Sequence, residues 1–288
     1  MQEYDKYEFD IEGTQLRTYR GNARTVTVPE GVTSIEYSAF TGSGVESVIL
    51  PSTLETIGYS AFKACTGLES VVIPEGVKSI RDEAFRGCTS LKSVVLPKGL
   101  ISIGRWAFTE CAITEITVPE SVTALGYSAF SDCKQLTEVK INAKIVAVDG
   151  NTFSGCNELL SVSLPESVAI IGQWAFSDCR KLSSLNLPDK ITSIGDGAFK
   201  DCWALKELTL PSSLTEIGRW AFAGCNGLSE IVIPQSVNTI EMCVFTDCGG
   251  LKINCERKKP AFGLPKKWSK DWLGNNEKPP VVTWGFVK

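Results

Sequence analysis

The chain of 288 residues is 43% hydrophobic and 22% charged, which predicts a well-packed core rather than intrinsic disorder. Histidine is absent, so the commonest general base and the commonest metal ligand are both excluded. The net charge of −4 gives no electrostatic basis for binding nucleic acid, and no apolar run approaches the ~20 residues that span a bilayer.

Residues 1–31 form a segment that differs from the rest of the chain. Residues 9–11 and 16–19 predict two short strands around a turn at Gly13. A stack of repeats needs an element that covers its open first coil, so we expect 1–31 to be an N-terminal capping hairpin. The first six residues lack the basic and apolar regions of a secretion signal.

The region 32–250 consists of about ten units of 22 or 23 residues. We number each unit from its leading aliphatic residue, so that Leu205 is position 1 and Phe222 is position 18. Position 18 is a phenylalanine in ten units, namely Phe40, Phe62, Phe85, Phe108, Phe130, Phe153, Phe176, Phe199, Phe222 and Phe245. A fixed period of this length predicts a solenoid, in which each coil buries its apolar side chains against the next coil.

Each unit shows the same order of local signals. Apolar residues at positions 4 and 6 alternate with polar ones and predict a short strand, which a proline at position 7 ends in eight units. Positions 10 and 13 predict a second extended piece. Glycine at position 14 is expected to free the backbone for a turn in most coils. The adjacent Ala-Phe pair at positions 17 and 18 fits a helical turn better than a strand.

Position 21 is a cysteine in nine units, which predicts a ladder with one thiol per coil. These residues are Cys65, Cys88, Cys111, Cys133, Cys156, Cys179, Cys202, Cys225 and Cys248. Disulfides between neighbours would break the repeat into pairs, and a zinc site would need a C-x-x-C pair or convergent ligands. The favoured interpretation is a row of buried thiols that donate weakly to turn carbonyls.

Residues 251–288 depart from the repeat. Residues 252–255 predict a last strand, and the tail that follows is too rich in Trp, Phe and Val to be disordered. We expect this segment to be a C-terminal cap, with residues 281–286 as a strand over the last coil. Residues 249–288 hold nine Lys/Arg and three Asp/Glu. Their lysines are interpreted either as the solvated face of the cap or as an anchor for anionic surfaces.

The motif L-x-x-V-x-I-P-x-x-V-x-x-I-G-x-x-A-F-x-x-C resembles the BspA-type class of leucine-rich repeats, found in bacterial surface proteins and some protist proteins. Proline, Ala-Phe and cysteine all recur at the spacing of that class, and the Trp-rich tail also resembles its flanks. The resemblance implies a right-handed leucine-rich repeat coil with short parallel strands and short helical or 3-10 turns, between the two caps. It also implies binding to other macromolecules, since some relatives are adhesins for host matrix proteins.

Two outward-facing sets of residues are candidates for binding a partner. Positions 3 and 5 of the first strand lie side by side across the stack. Their charged members are Glu115, Glu138, Lys140, Glu207 and Glu230. Positions 15 and 16 carry aromatic residues, which are rich in binding energy when they are exposed and grouped. The candidates there are Tyr59, Tyr127, Trp106, Trp174 and Trp220. The alternatives are a merely solvated sheet face and aromatic rings that only shield the coil edge.

No catalytic machinery is recognisable, because the acidic pairs are not accompanied by histidine, a phosphate-binding loop or a nucleophile elbow. We therefore expect no enzyme activity, no cofactor and no metal. The expected function is a monomeric scaffold that binds a protein of unknown identity. Two versions stay open: a surface adhesin, if a signal was removed, and a cytoplasmic interaction scaffold.

Overall fold

A computed structural model describes residues 8–287; residues 1–7 and 288 lie outside the described residues, so the chain start and the outer ends of both expected caps do too. Contacts divide the chain into two units, Met1–Lys144 and Ile145–Lys288. Residues 8–287 fold into short strands and turns without a helix. In the same range no helical segment is long and apolar enough to cross a membrane.

The described part of the first unit contains thirteen strands of two to five residues. They are β1 (Phe9–Glu12), β2 (Gln15–Tyr19), β3 (Thr25–Thr27), β4 (Ser34–Ile35), β5 (Ser47–Ile49), β6 (Thr56–Ile57), β7 (Ser70–Val72), β8 (Ser79–Ile80), β9 (Ser93–Val95), β10 (Ser102–Ile103), β11 (Glu115–Val118), β12 (Ala124–Leu125) and β13 (Glu138–Ile141).

The first unit is a stack of parallel coils behind one antiparallel hairpin. β1 and β2 form the hairpin. One sheet has the order β1-β2-β4-β6-β8-β10-β12, a second has the order β3-β5-β7-β9, and β11 pairs with β13. In each coil, positions 3–5 form a strand of one sheet and positions 12 and 13 form a strand of another. Residues at the same position in neighbouring coils therefore pair, as Ile57 does with Ile80.

The second unit repeats this arrangement with ten strands in its described part. They are β14 (Ala147–Val148), β15 (Ser161–Ser163), β16 (Ile170–Ile171), β17 (Ser193–Ile194), β18 (Glu216–Ile217), β19 (Glu230–Ile233), β20 (Thr239–Ile240), β21 (Lys252–Cys255), β22 (Lys267–Trp268) and β23 (Val281–Trp284). The sheets have the orders β14-β16-β17-β18-β20-β22 and β19-β21-β23. An isolated bridge between Ser184 and Glu207 continues the first-strand face where no strand forms. The predicted solenoid of short parallel strands is therefore confirmed.

The core of each unit is a column of phenylalanine rings. All ten position-18 phenylalanines are fully buried, five in each unit. Their rings stack with centroids 4.7 Å apart for Phe40 and Phe62 and 5.6 Å apart for Phe222 and Phe245. The spacing is equal to or slightly larger than the ~4.8 Å between neighbouring parallel strands, because one ring belongs to each coil.

The predicted helical turn at positions 17 and 18 is wrong. Positions 16 and 20 have positive φ, as in Trp174 (56°) and Asp178 (59°), and two left-handed residues four apart interrupt any helix. The amides of Trp174, Phe176 and Asp178 donate to carbonyls of the next coil at 2.7–2.8 Å. Only the alternate amides bond within the coil, as from Ser177 to Trp174 at 3.1 Å, so no continuous helical ladder of hydrogen bonds forms.

Glycine at position 14 has a different role from the predicted one. Gly58, Gly126 and Gly218 do not have positive φ. A Cβ on Gly218 would lie 2.5 Å from the amide nitrogen of Asp196, and one on Gly126 would lie 2.6 Å from that of Arg105. Glycine is needed because the backbones of adjacent coils approach closely, not because the chain turns there.

The cysteine ladder is confirmed as a row of buried, free thiols. In eight of the nine, Sγ donates to the carbonyl of the phenylalanine in the preceding coil, as from Cys65 to Phe40 at 3.0 Å and from Cys202 to Phe176 at 3.1 Å. Burial raises the pKa of Cys248 to about 12. The thiols are held protonated, so they act as weak donors inside the core.

An aromatic ring lies against one end of each phenylalanine column. Tyr19 of the hairpin stacks on Phe40 with centroids 4.9 Å apart. Trp272 packs edge-on against Phe245 at 5.9 Å, and its neighbour Trp268 is also buried. These contacts support the capping roles expected for residues 1–31 and 251–288, which stay predictions.

Candidate functional site

The sheet face of the first unit carries a row of exposed aliphatic side chains at position 5. Ile49, Val72 and Val95 are 56%, 65% and 52% exposed. They lie on the adjacent parallel strands β5, β7 and β9, and Val72 pairs directly with Val95. We call these three residues the aliphatic row.

A groove of about 660 Å³ runs over the first two members of the aliphatic row. Its walls include two carboxylates, Glu30 and Glu75, and no basic side chain lines it. Glu30 accepts hydrogen bonds from the amide and hydroxyl of Ser52 at 3.1 and 3.2 Å, which fixes its carboxylate at the groove edge. The groove therefore combines an apolar floor with negative charge.

A second groove of about 970 Å³ contains the third member of the row and three of the predicted site residues. Glu115 and Glu138 face each other in register on β11 and β13. The Nζ of Lys140 lies 3.0 Å from Glu138, and this hydrogen bond raises the pKa of the lysine. The structure thus brings Glu115, Glu138 and Lys140 together beside Val95.

The other two predicted acidic residues lie on the sheet face of the second unit. Glu207 and Glu230 are both exposed. Glu207 pairs with Ser184, and Glu230 begins β19, where its carboxylate accepts a hydrogen bond from Asn254.

The predicted aromatic residues of the first unit line the coil edge. Tyr59 is about half exposed, and the guanidinium of Arg81 lies 5.8 Å from its ring centre. Trp106 and Tyr127 form an edge-to-face pair with centroids 5.8 Å apart, and both are half-buried. Part of each ring shields the backbone and part remains open to solvent.

In the second unit two tryptophans meet across an intervening coil. Trp174 and Trp220 stack with centroids 6.3 Å apart. The coil between them has Gly197 at the equivalent position, and a Cβ on this glycine would lie 2.2 Å from the Trp174 ring. The Trp174 ring occupies the space that a side chain at position 197 would need. Lys200 adds a cationic group 5.9 Å from the ring of Trp174.

Sequence reasoning missed two exposed features. The aliphatic row is the first: the candidates at positions 3 and 5 are charged residues, although position 5 has Ile, Val and Val in three successive units. Trp203 is the second: it is 46% exposed and lies under the guanidinium of Arg180 at 4.4 Å. Aligning the units by position reveals the first feature, because an apolar side chain recurs at an outward position.

Within residues 8–287 no cluster of three or more metal-ligating side chains is present.

The repeats of the chain match a known family of leucine-rich repeats. The family described as "BspA type Leucine rich repeat region" matches residues 18–137 and 128–252, in six copies. None of the curated proteins matches the chain significantly.

Several solved structures have a similar fold. A leucine-rich repeat protein from Bacteroides ovatus is 33% identical over 75% of this chain, with a TM-score of 0.62. This chain spans 62% of the length of that protein. The pneumococcal vaccine antigen PcpA is 21% identical over 92% of this chain and 80% of its own, with a TM-score of 0.57. A leucine-rich cell surface protein from Faecalibacterium prausnitzii is 25% identical over 88% of this chain and 94% of its own, with a TM-score of 0.48.

Proposed function

The chain belongs to the BspA-type leucine-rich repeat family, and on that premise we propose that it is a non-enzymatic scaffold that binds another protein through its exposed sheet face. The single observation that carries the proposal is the aliphatic row. One exposed aliphatic residue is ordinary on a protein surface, but three on adjacent strands make a continuous apolar strip. A partner that covers the strip gains the free energy of removing it from water.

The charges around the row indicate the kind of partner. Glu30 and Glu75 border the first groove without a basic neighbour in its lining. A segment with aliphatic side chains and a lysine or arginine beside them complements this groove in both shape and charge. In the second groove the mixed set of Glu115, Glu138 and Lys140 favours a partner with polar side chains of both signs.

The exposed tryptophans at position 16 are proposed as a second contact zone, which we call the aromatic edge. Trp106, Trp174 and Trp220 reach solvent from rigid turns, and such side chains supply large contact area at little entropic cost. Their alternative role is to shield the coil edge, so the binding experiment has to separate the two zones.

The experiment measures binding of the purified protein to a panel of extracellular-matrix proteins, with three variants. The first replaces Ile49, Val72 and Val95 by threonine, which keeps the branched shape and removes the apolar surface. The second replaces the three tryptophans by alanine, and the third replaces Glu115, Glu138, Glu207 and Glu230 by alanine. We expect the first to weaken binding at least about tenfold. The effect of the third should shrink as salt rises.

A matched control separates the site from a general loss of surface hydrophobicity. Ile101, Val146 and Ile170 are also exposed branched aliphatic residues, but they lie outside the aliphatic row. Replacing these three by threonine should leave binding unchanged. Equal binding by all variants would show that neither zone is used.

The adhesin role is the finer part of the proposal and is supported by the family alone. A cytoplasmic interaction scaffold is the alternative, and the free thiols fit both versions. Protease treatment of intact producing cells separates them. Loss of the protein from intact cells would support the surface version, and full protection would support the cytoplasmic one.

A further inference from the structure

A lysine-flanked loop connects β21 to β22 and has an aromatic residue at its tip. We call residues 258–267 the lysine loop; it reads Lys-Lys-Pro-Ala-Phe-Gly-Leu-Pro-Lys-Lys. Phe262 is 92% exposed, the highest value among the exposed large hydrophobic residues. The four lysines, Lys258, Lys259, Lys266 and Lys267, are exposed as well.

The lysine loop is held at both ends by the last coils. Before it, the guanidinium of Arg257 donates to the carbonyl of Gln235 at 2.8 Å, and the carboxylate of Glu256 accepts from the amide of Gln235 at 3.0 Å. After it, Trp268 is buried and β22 pairs with β20. The tip is therefore presented at a defined place on the second unit.

The charged groups of the loop have no partner in the part of the chain that the structure describes. No hydrogen bond or ion pair within residues 8–287 involves the side chains of its four lysines. The surrounding sequence is also basic, because residues 249–288 carry +6 whereas the whole chain carries −4. Four unpaired ammonium groups around one aromatic tip make a surface that is both cationic and apolar.

We propose that the lysine loop docks the protein onto a bilayer that contains anionic phospholipid. Phe262 enters the boundary between headgroups and acyl chains, and the four lysines lie against the lipid phosphates. The two prolines restrict the backbone on either side of the tip and keep the lysines apart from it.

The aromatic tip favours a bilayer over a soluble polyanion. A polyanion gains from the lysines but offers no apolar phase for an exposed phenylalanine, whereas a membrane surface takes both groups at once. A merely solvated face accounts for the four lysines alone, whereas a bilayer surface also takes up the exposed ring of Phe262 that lies between them. The inference is independent of the sheet face and of its partner.

The test is flotation of the full chain with vesicles of phosphatidylcholine containing about 30% phosphatidylserine, compared with pure phosphatidylcholine. Wild type should bind the anionic vesicles and not the neutral ones. Replacing the four loop lysines by glutamine should weaken binding at least about a hundredfold, since each lysine near such a surface is worth roughly fivefold. Phe262→Ser should weaken binding about tenfold.

Two controls distinguish the loop from net charge and the bilayer from other anions. Replacing Lys78, Lys134, Lys190 and Lys206, which are exposed lysines on the coils, by glutamine removes the same charge and should leave binding unchanged. Soluble heparin is offered in parallel. Failure of wild type to bind anionic vesicles overturns the proposal. Equal loss in the control variant, or heparin binding together with no effect of Phe262→Ser on the vesicles, overturns it too.

Discussion

At the scale of single residues, three tryptophans occupy a backbone conformation that is costly for them. Trp106, Trp174 and Trp220 have φ between 54° and 56°, where a residue with a Cβ loses roughly 1–2 kcal/mol. Two other coils have Gly197 and Asn151 there, residues that adopt this conformation more easily. Five further coils have a serine, glutamate or cysteine at this position with φ of 54° to 60°, so the fold of the coil imposes the conformation whatever the side chain. These residues are Ser38, Ser60, Glu83, Ser128 and Cys243.

The phenylalanine column makes a residue-scale prediction about stability. Phe176 is fully buried and its ring stacks on those of Phe153 and Phe199 at 5.5 Å. Phe176→Ala should lower the free energy of unfolding by ~3–5 kcal/mol, because it opens a cavity between two rings. Urea unfolding measures this. Tyr37→Ala, at an exposed aromatic residue, is the control, and a loss under about 1 kcal/mol for Phe176→Ala would contradict the stacked core.

The buried thiols make a prediction about pH. Burial raises the pKa of Cys111, Cys179, Cys202 and Cys225, and it raises that of Cys248 to about 12, above an ordinary value of 9.0. The folded state therefore keeps protons that the unfolded chain releases, so their stabilisation is complete below pH 9 and is lost as pH rises towards 12. Each buried thiol should lower the free energy of unfolding by about 1.4 kcal/mol per pH unit above pH 9.

Urea unfolding at pH 8, 9 and 10 measures this loss, which should reach several kcal/mol at pH 10 because many thiols contribute together. Cys243→Ala is the control variant, because Cys243 lies outside the ladder and is only half-buried. Thiol titration of the unfolded chain should count the eleven free groups. A stability that is constant from pH 8 to pH 10 would contradict a protonated, buried ladder.

At the scale of the structural element, the contact between coils depends on glycine at position 14. Gly218→Ala would place a Cβ 2.5 Å from the amide nitrogen of Asp196, and backbone cannot move aside cheaply. We expect a loss of about 1–3 kcal/mol in the free energy of unfolding. Gly249→Ala is the matched control in the same unit, because no atom lies within 4 Å of its Cβ. Equal effects of the two substitutions would exclude the close approach as the reason for glycine.

The repeat pattern predicts the features that depend only on whether a side chain points inward or outward, namely the first strand of each coil and the core. The alternation at positions 4 and 6 predicts the strand of each coil, and β7, from Ser70 to Val72, ends before Pro74 as expected. The column of phenylalanines predicts the core, because only one face of a coil can meet its neighbours. Both inferences need the period alone and no knowledge of distances.

The turns and the candidate site depend on packing between coils, which the sequence pattern does not reveal. Whether the Ala-Phe turn becomes helical depends on the partner of each amide, and Phe176 donates to Ala198 of the next coil, which a local pattern does not reveal. The groove over Ile49 and Val72 depends on how far neighbouring strands and loops project. Sequence predicted that Glu115, Glu138 and Lys140 face outward, but not that they border the same groove as Val95.

At the scale of the whole molecule, charge and apolar packing both set residues 256–287 apart from the repeat. The coils are acidic, whereas residues 249–288 carry a net charge of +6. Its two ends are nevertheless part of the second unit: β22 extends the sheet at β20, and β23 extends the sheet at β21. The segment thus combines a basic loop with two strands and two buried tryptophans.

The last prediction follows from those strands. Deleting residues 256–288 removes β22, β23 and the buried Trp268 and Trp272, which leaves the rings of Phe245 and the edges of two sheets open to water. We expect the melting temperature to fall by at least about 5 °C, with aggregation on heating. The matched control replaces only 258–264 by a Gly/Ser linker of equal length, which keeps both strands and should melt like the intact protein. Light scattering and thermal melts compare the two. A truncated chain that stays monomeric with unchanged melting would show that the segment does not cap the second unit, because the last coil would then be stable without a cover.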